Sequence, residues 1–230
     1  MNSNRKTARI VGVLYIIAFA GIISVVFGPN LYAPDYLANL SANENKVIIA
    51  ALFDFIMAVA VAGIPIMMYP ILKNHNEGLA LGVVGARMIE SVIYIVGAIS
   101  LLTLLTLSRE FVKAGVPDDS YFKASGILLI AVRDWGFSVF ATLVFAISAL
   151  IFNYLLYQLK LLPRFLPVWG IIGALLLFPA GILALYGHSL PILWIPTAVQ
   201  EMVLAVWLIV KGFNSSAIAS GSAKTYINKV

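Results

Sequence analysis

A chain of 230 residues that is 62% hydrophobic and 11% charged, with a mean hydropathy of +1.00, is too apolar for a water-soluble fold, in which roughly 45–50% of residues are apolar. Its formal charge of +5 comes from basic residues scattered at the ends of apolar runs, which excludes the stripe or patch of a nucleic-acid binder and points to lipid headgroups. The absence of cysteine excludes disulfides, thiolate metal sites, iron–sulfur clusters and a cysteine nucleophile, and the two histidines, His75 and His188, fall in connections where they form no haem-binding pair.

In chain order, Arg5, Lys6 and Arg9 precede the apolar run Ile10–Phe27. With Ala18-Phe19-Ala20 this imitates a cleaved signal peptide, but the run has the length of a span and reads as the first transmembrane helix. Val47–Leu72 and Leu79–Leu107 follow, joined by the short basic turn 73–78. The stretch from Asp119 to Leu159 contains no proline and would make a helix of about 60 Å, roughly twice the hydrocarbon thickness. A change of course is therefore expected near Arg133-Asp134-Trp135-Gly136. Tyr121–Val132 reads as an interfacial stretch and the fourth span as beginning at about Trp135. Leu166–Leu185 and Pro191–Val210 complete six spans, with Pro65, Pro70, Pro179 and Pro196 inside them as places for a kink. Residues 1–211 thus read as one all-α, polytopic six-helix membrane bundle, and 212–230, rich in Ser, Ala and Asn, as a disordered cytoplasmic tail.

Basic residues set the orientation. With the N-terminus inside, Arg5, Lys6, Arg9, Lys73, Lys160, Arg164, Lys211, Lys224 and Lys229 lie on the inner side, against Lys46, Arg109, Lys113 and Lys123 outside. The outer connections also carry Asp35, Glu44, Glu110, Asp118 and Asp119. Trp135 and Trp194 fall at outer span ends and Trp169 and Trp207 near inner ends, as interfacial rings prefer. Both termini are expected in the cytoplasm.

The informative residues are the ionisable ones within or at the edge of the spans: Asp54, Arg87, Glu90, Arg133, Asp134 and Glu201. Each costs about 2.5–3.5 kcal/mol at a helix centre, so each should face the bundle interior and find a partner. Counted from the inner span ends, Glu90, Glu201 and Arg87 lie roughly 17, 14 and 12 Å up and share a midplane layer. Asp54, roughly 27 Å up, joins Arg133 and Asp134 in an outer layer. Arg87 and Glu90 stand three residues apart on one face, which lets the guanidinium reach either midplane carboxylate. Each layer holds two acids and one base, so one carboxylate in each needs a proton, water or a bound cation. Tyr15, Tyr94, Asn153, Tyr154 and Gln200 read as sources of helix-to-helix hydrogen bonds.

Several stretches carry a family resemblance: 8–15 (ARIVGVLY), Asp54, Arg87-Met88-Ile89-Glu90, Asn153-Tyr154-Leu155-Leu156-Tyr157 before Leu162-Pro163-Arg164, and Pro196–Glu201 leading into 207–212 (WLIVKG). Together they resemble a family of bacterial membrane proteins, that of domain of unknown function 4386. The resemblance implies a multi-pass protein of the bacterial plasma membrane and supplies no activity.

Function is therefore argued from the charges. One reading is a protein that binds or transports a proton, a metal ion or a small amphiphilic cation at Glu90 and Glu201, with a homodimer completing the pathway of so small a chain. A second is an intramembrane enzyme acting on a lipid or prenyl substrate, by divalent-metal chemistry or with a protonated Asp54, Glu90 or Glu201 as a general acid. The chain carries neither Gly-x-Ser-x-Gly nor His-Glu-x-x-His to support hydrolysis. A third is a structural subunit whose buried charges fix helix register.

Overall fold

A computed structural model describes residues 3–115 and 120–214. Asp118, Asp119, Lys224, Lys229 and nearly all of the expected tail lie outside the described residues. Among those described, the chain is helical with no strand, and six segments are long and apolar enough to cross a bilayer: Asn4–Phe27, Glu44–Leu72, Glu77–Ala114, Tyr121–Leu159, Phe165–Leu185 and Pro191–Val210.

The first span consists of α1 (Ser3–Ala18) and α2 (Ala20–Phe27), parted at Phe19, where Phe19 N–H donates to Ile16 O at 3.1 Å and Ile22 N–H to Phe19 O at 3.0 Å. These three-residue bonds tighten the turn without a proline. A short α3 (Tyr36–Ala42) leads into α4 (Glu44–Leu72), which carries Pro65 and Pro70 without interruption. Next comes α5 (Glu77–Ala114), whose start is set by Asn76, which accepts from Leu79 N–H at 2.9 Å, and whose end is set by Gly115 at φ 56°. A side-chain acceptor before the first turn and a left-handed glycine after the last are the usual start and stop chemistry of a helix.

The fourth span differs from expectation. It runs as α6 (Ser120–Asp134), a π-helical segment Trp135–Ala141, and α7 (Thr142–Leu159), all continuous. Tyr121–Val132 does not form a separate interfacial stretch. It packs antiparallel along the far half of α5, with Ser100 Oγ donating to Leu129 O at 2.6 Å and the Phe111 and Phe122 rings 5.7 Å apart. The reason lies in α5, which continues seven residues past the expected Leu107 and gives α6 a partner along its length. Where a break is expected near Arg133–Gly136 the helix instead continues, as a π segment that starts at Trp135.

The chain closes with α8 (Phe165–Leu185), a 3₁₀ turn Pro191–Trp194 and α9 (Ile195–Val210). Pro196 therefore opens α9 instead of kinking it, a position where its missing N–H costs nothing. Each span packs on its neighbours in sequence and α9 packs back on α1, so the six spans close into a ring. The described ends meet at one end of that ring, where Arg5 donates to Lys211 O and Val210 O, both at 2.8 Å. We call this the terminal end and the opposite one the distal end. The terminal half is filled by an apolar cluster that includes Val11, Met68, Val83, Leu155, Leu166 and Leu208. Distally, α3 packs on α5, with Ser108 Oγ donating to Leu37 O, and the cluster around Leu40, Val47 and Leu101 closes spans two to four.

Candidate functional site

The inner face of α5 presents Arg87, Glu90, Ser91, Tyr94 and Gly97 in succession, a stripe at the three- and four-residue spacing of a helix. All of them are buried. Arg87 Nη1 stands 3.2 Å from Glu90 Oε2, and Nη2 stands 3.5 Å from Glu201 Oε1 on α9. Spans three and six lie on opposite sides of the ring, so the guanidinium joins them across it. Its plane covers the Phe145 ring of α7 at 4.4 Å, and Tyr94 donates to Glu90 Oε1 at 3.1 Å. Tyr15, buried on α1, lies within electrostatic reach of Glu201, Arg87 and Glu90. The two carboxylates differ in access: the Glu90 side chain is 1% exposed and that of Glu201 18%.

This centre holds one cation and two carboxylates, in agreement with the sequence-based layer. With both acids ionised it keeps one uncompensated negative charge inside an apolar bundle, which is costly. Tyr94 stabilises Glu90 by donating from its own helix, not across to a neighbouring one as expected. Gln200 makes the expected helix-to-helix bond, donating to Leu166 O at 3.2 Å, whereas Asn153 donates back to Ala149 O at 2.9 Å on its own helix. Tyr154 is exposed on the bundle exterior.

The distal charges divide. Arg133 Nη1 stands 2.7 Å from Asp54 Oδ2 and donates to Gly97 O at 3.1 Å, while Nη2 donates to Ser24 Oγ at 3.5 Å. The same guanidinium covers the Phe137 ring at 4.5 Å. Asp54 is fully buried, and although its Oδ2 is in ion contact, neither of its oxygens accepts a hydrogen bond among the described residues. Asp134 points away from this pair and accepts from the Tyr32 hydroxyl at 2.8 Å. The sequence reading put two acids and one base in one outer layer. The geometry pairs the fully buried Asp54 with the half-buried Arg133, and turns Asp134 aside to Tyr32. Adjacent helical residues point about 100° apart, which is why Asp134 diverges.

Between the two charged centres lies an apolar plug of Ala58, Val61, Tyr94 and Ala141, against which Met57 and Phe137 pack. Ser91 crosses it, donating to Ala58 O at 2.8 Å. On the distal side a crevice of about 460 Å³ reaches Arg133 and Asp134, lined also by Ser24, Asn30, Tyr32 and Phe137. The ring interior is thus layered from the distal end: open crevice, ion pair, apolar plug, mid-bundle triad, apolar terminal half. No three His, Cys, Asp or Glu side chains converge as a metal-ligand set among the described residues.

The residues that sequence reasoning missed are those without charge. Ser24, Tyr32, Phe137, Phe145 and the Gly97 carbonyl all contact the charged centres. Of these, only Gly97 had a signal that could have found it, its spacing from Glu90 along one face of α5.

The chain belongs to the family defined by domain of unknown function DUF4386, whose model matches residues 10–212. No curated protein and no solved structure matches it.

Proposed function

We propose that this member of the DUF4386 family is a proton-linked membrane transporter in which Glu90 and Glu201 share one proton on either side of Arg87. Exchange of that proton, or of a small cation in its place, is the step coupled to movement across the bilayer. The observation that carries the reading is the single guanidinium held between two carboxylates in mid-bundle, joining opposite spans of the ring. Such a group is neutral only with one proton or one monovalent cation bound. Glu201 is the more accessible of the two carboxylates, and Glu90 is hydrogen-bonded to Tyr94 and pairs with Arg87 on its own helix. The distal crevice and its Asp134 carboxylate form the approach, with the Arg133–Asp54 pair as the barrier a cation crosses. In this reading the terminal end, with most of the basic residues, faces the cytoplasm of a bacterial cell.

The competing intramembrane-enzyme reading calls for a lipid-sized cavity at the carboxylates. Neither Glu90 nor Glu201 lines the crevices beside Arg133, beside Trp194 or beside Lys211. A structural role accounts for Arg87 with one carboxylate and leaves the second unexplained.

The test is charge displacement in proteoliposomes on a solid-supported membrane. A pH step should give a transient current from the wild-type protein that is lost in Glu201→Gln and in Glu90→Gln, while both variants elute as folded protein. A current of undiminished size in Glu201→Gln, or no current from folded wild-type protein, would refute the proposal.

A further inference from the structure

At the terminal end, the turn between α7 and α8 and the segment following α9 enclose a second crevice of about 450 Å³. Three cations line it, Lys160, Arg164 and Lys211, and none of its lining residues is acidic. Its apolar wall includes Leu161, Trp207 and Phe213. We propose that this crevice binds the phosphate headgroup of an anionic phospholipid, with the apolar wall against the upper acyl chain.

The ordinary explanation for basic residues here is that they neutralise the carbonyl ends of helices. That explanation is already satisfied for α9, because Arg5 takes both Val210 O and Lys211 O. The Lys211 ammonium is therefore not needed at its own helix end. Lys160 closes α7 in the left-handed conformation at φ 52°, where glycine fits without strain. A lysine in that position places a cation at the crevice at the cost of some backbone strain. The third cation, Arg164, lies over the Tyr157 ring at 5.1 Å and immediately precedes α8, whose first turn carries no acid and receives no side-chain cap. The positive end of that helix adds to the same field.

The walls select a lipid over a free anion. Trp207 packs edge-on against Phe165 with ring centroids 6.4 Å apart, and Phe165 is exposed on the bundle surface, so the aromatic wall continues onto the face that acyl chains cover. Asn214 N–H donates to Leu161 O at 2.9 Å and holds the segment after α9 against the turn, which fixes the crevice's shape. Basic pockets between spans at the cytoplasmic side are suited to anionic headgroups, each cation contributing about fivefold in affinity.

Native mass spectrometry of the full chain in detergent tests this with three probes: phosphatidylglycerol, phosphatidylcholine of the same acyl chains, and inorganic phosphate. Phosphatidylglycerol should be retained over phosphatidylcholine, and Lys211→Gln and Arg164→Gln should each lower its retention about fivefold. Lys73→Gln, which removes a cation at the same end but outside the crevice, should leave it unchanged. All three are exposed positions, so folding is not at issue. Equal retention of both lipids, an equal loss in Lys73→Gln, or displacement of phosphatidylglycerol by an equal concentration of inorganic phosphate would each overturn the proposal. The last would mark a site for soluble anions instead.

Discussion

Arg87 on α5 and Glu201 on α9, 114 residues apart in sequence, meet at 3.5 Å across the ring, although Arg87 already has Glu90 at 3.2 Å on its own helix. The two carboxylates are therefore unequal in what they contribute to stability. Removing Arg87 leaves two carboxylates facing each other in the bundle and should cost about 3–5 kcal/mol. Glu201→Gln removes the surplus charge and keeps an acceptor for the guanidinium, so it should be nearly neutral. Chemical unfolding in detergent of Arg87→Gln and Glu201→Gln compares them directly. Equal destabilisation would mean that the second carboxylate is ionised and needed for the fold.

The six spans and the mid-bundle triad were legible in the sequence because both rest on simple periodicities. Span-length apolar runs mark the helices, and the three-residue spacing of Arg87 and Glu90 fixes their common face. The depth count brought in Glu201 because up-and-down helices of similar length share a vertical scale. The same count put Asp134 with Arg133 in one layer, since depth says nothing of direction around a helix. In the fourth span the helix length placed the irregularity near Arg133–Gly136 but not the continuation of the helix through it, because a π segment leaves no residue signature such as proline and the support for α6 comes from the length of α5. Uncharged contacts such as Phe145 beneath Arg87 look like any other lipid-facing aromatic until the helices are assembled.

The Asp54–Arg133 pair should show strong coupling. Arg133→Met leaves a fully buried carboxylate that accepts no hydrogen bond, and should cost about 3–5 kcal/mol. Asp54→Asn should cost less, because Arg133 keeps Gly97 O and Ser24 Oγ as acceptors. The double variant should recover much of the loss, a coupling of about 0.5–3 kcal/mol in a double-mutant cycle. Strict additivity would show that the two do not act as a pair.

Ring closure depends on close approach of α1 to α9. A Cβ on Gly12 would stand 2.7 Å from Ala205 O and 2.7 Å from Ile209 Cγ1, and backbone cannot yield as a side chain can. Gly12→Ala should therefore destabilise by about 1–3 kcal/mol. Gly85 on α5 has nothing within 4 Å of its would-be Cβ, so Gly85→Ala should instead stabilise by about 0.5–1 kcal/mol through helix propensity. Thermal unfolding of the two variants should shift in opposite directions, and a shared direction would contradict the packing of α1 on α9.

Orientation is open to a direct measurement, because the chain contains no cysteine and any single one introduced is unique. Asn74→Cys, exposed in the turn between α4 and α5, should resist a membrane-impermeant maleimide in intact cells, whereas Lys113→Cys, exposed at the far end of α5, should react. Positive-inside bias requires this result. The reverse labelling pattern would invert the proposed access route and place the Arg133 crevice in the cytoplasm.

The π segment takes up one residue more than an α turn would. An i→i+5 hydrogen bond spans one residue more than an i→i+4 bond, so deleting one residue from Trp135–Ala141 lets the segment return to α geometry with α6 and α7 close to their present relative orientation. Deleting Ser138, whose side chain is exposed, removes little packing of its own. The Arg133 guanidinium should stay on Asp54, and the deletion should be tolerated. Deleting Ile147, also exposed but in the α-helical part of the same span, has no π turn to absorb it, so it swings the two sides of the helix about 100° apart, carries Arg133 off Asp54 and should cost about 3–5 kcal/mol. Detergent unfolding compares the two deletions, and equal losses would show that the π segment does not hold the extra residue.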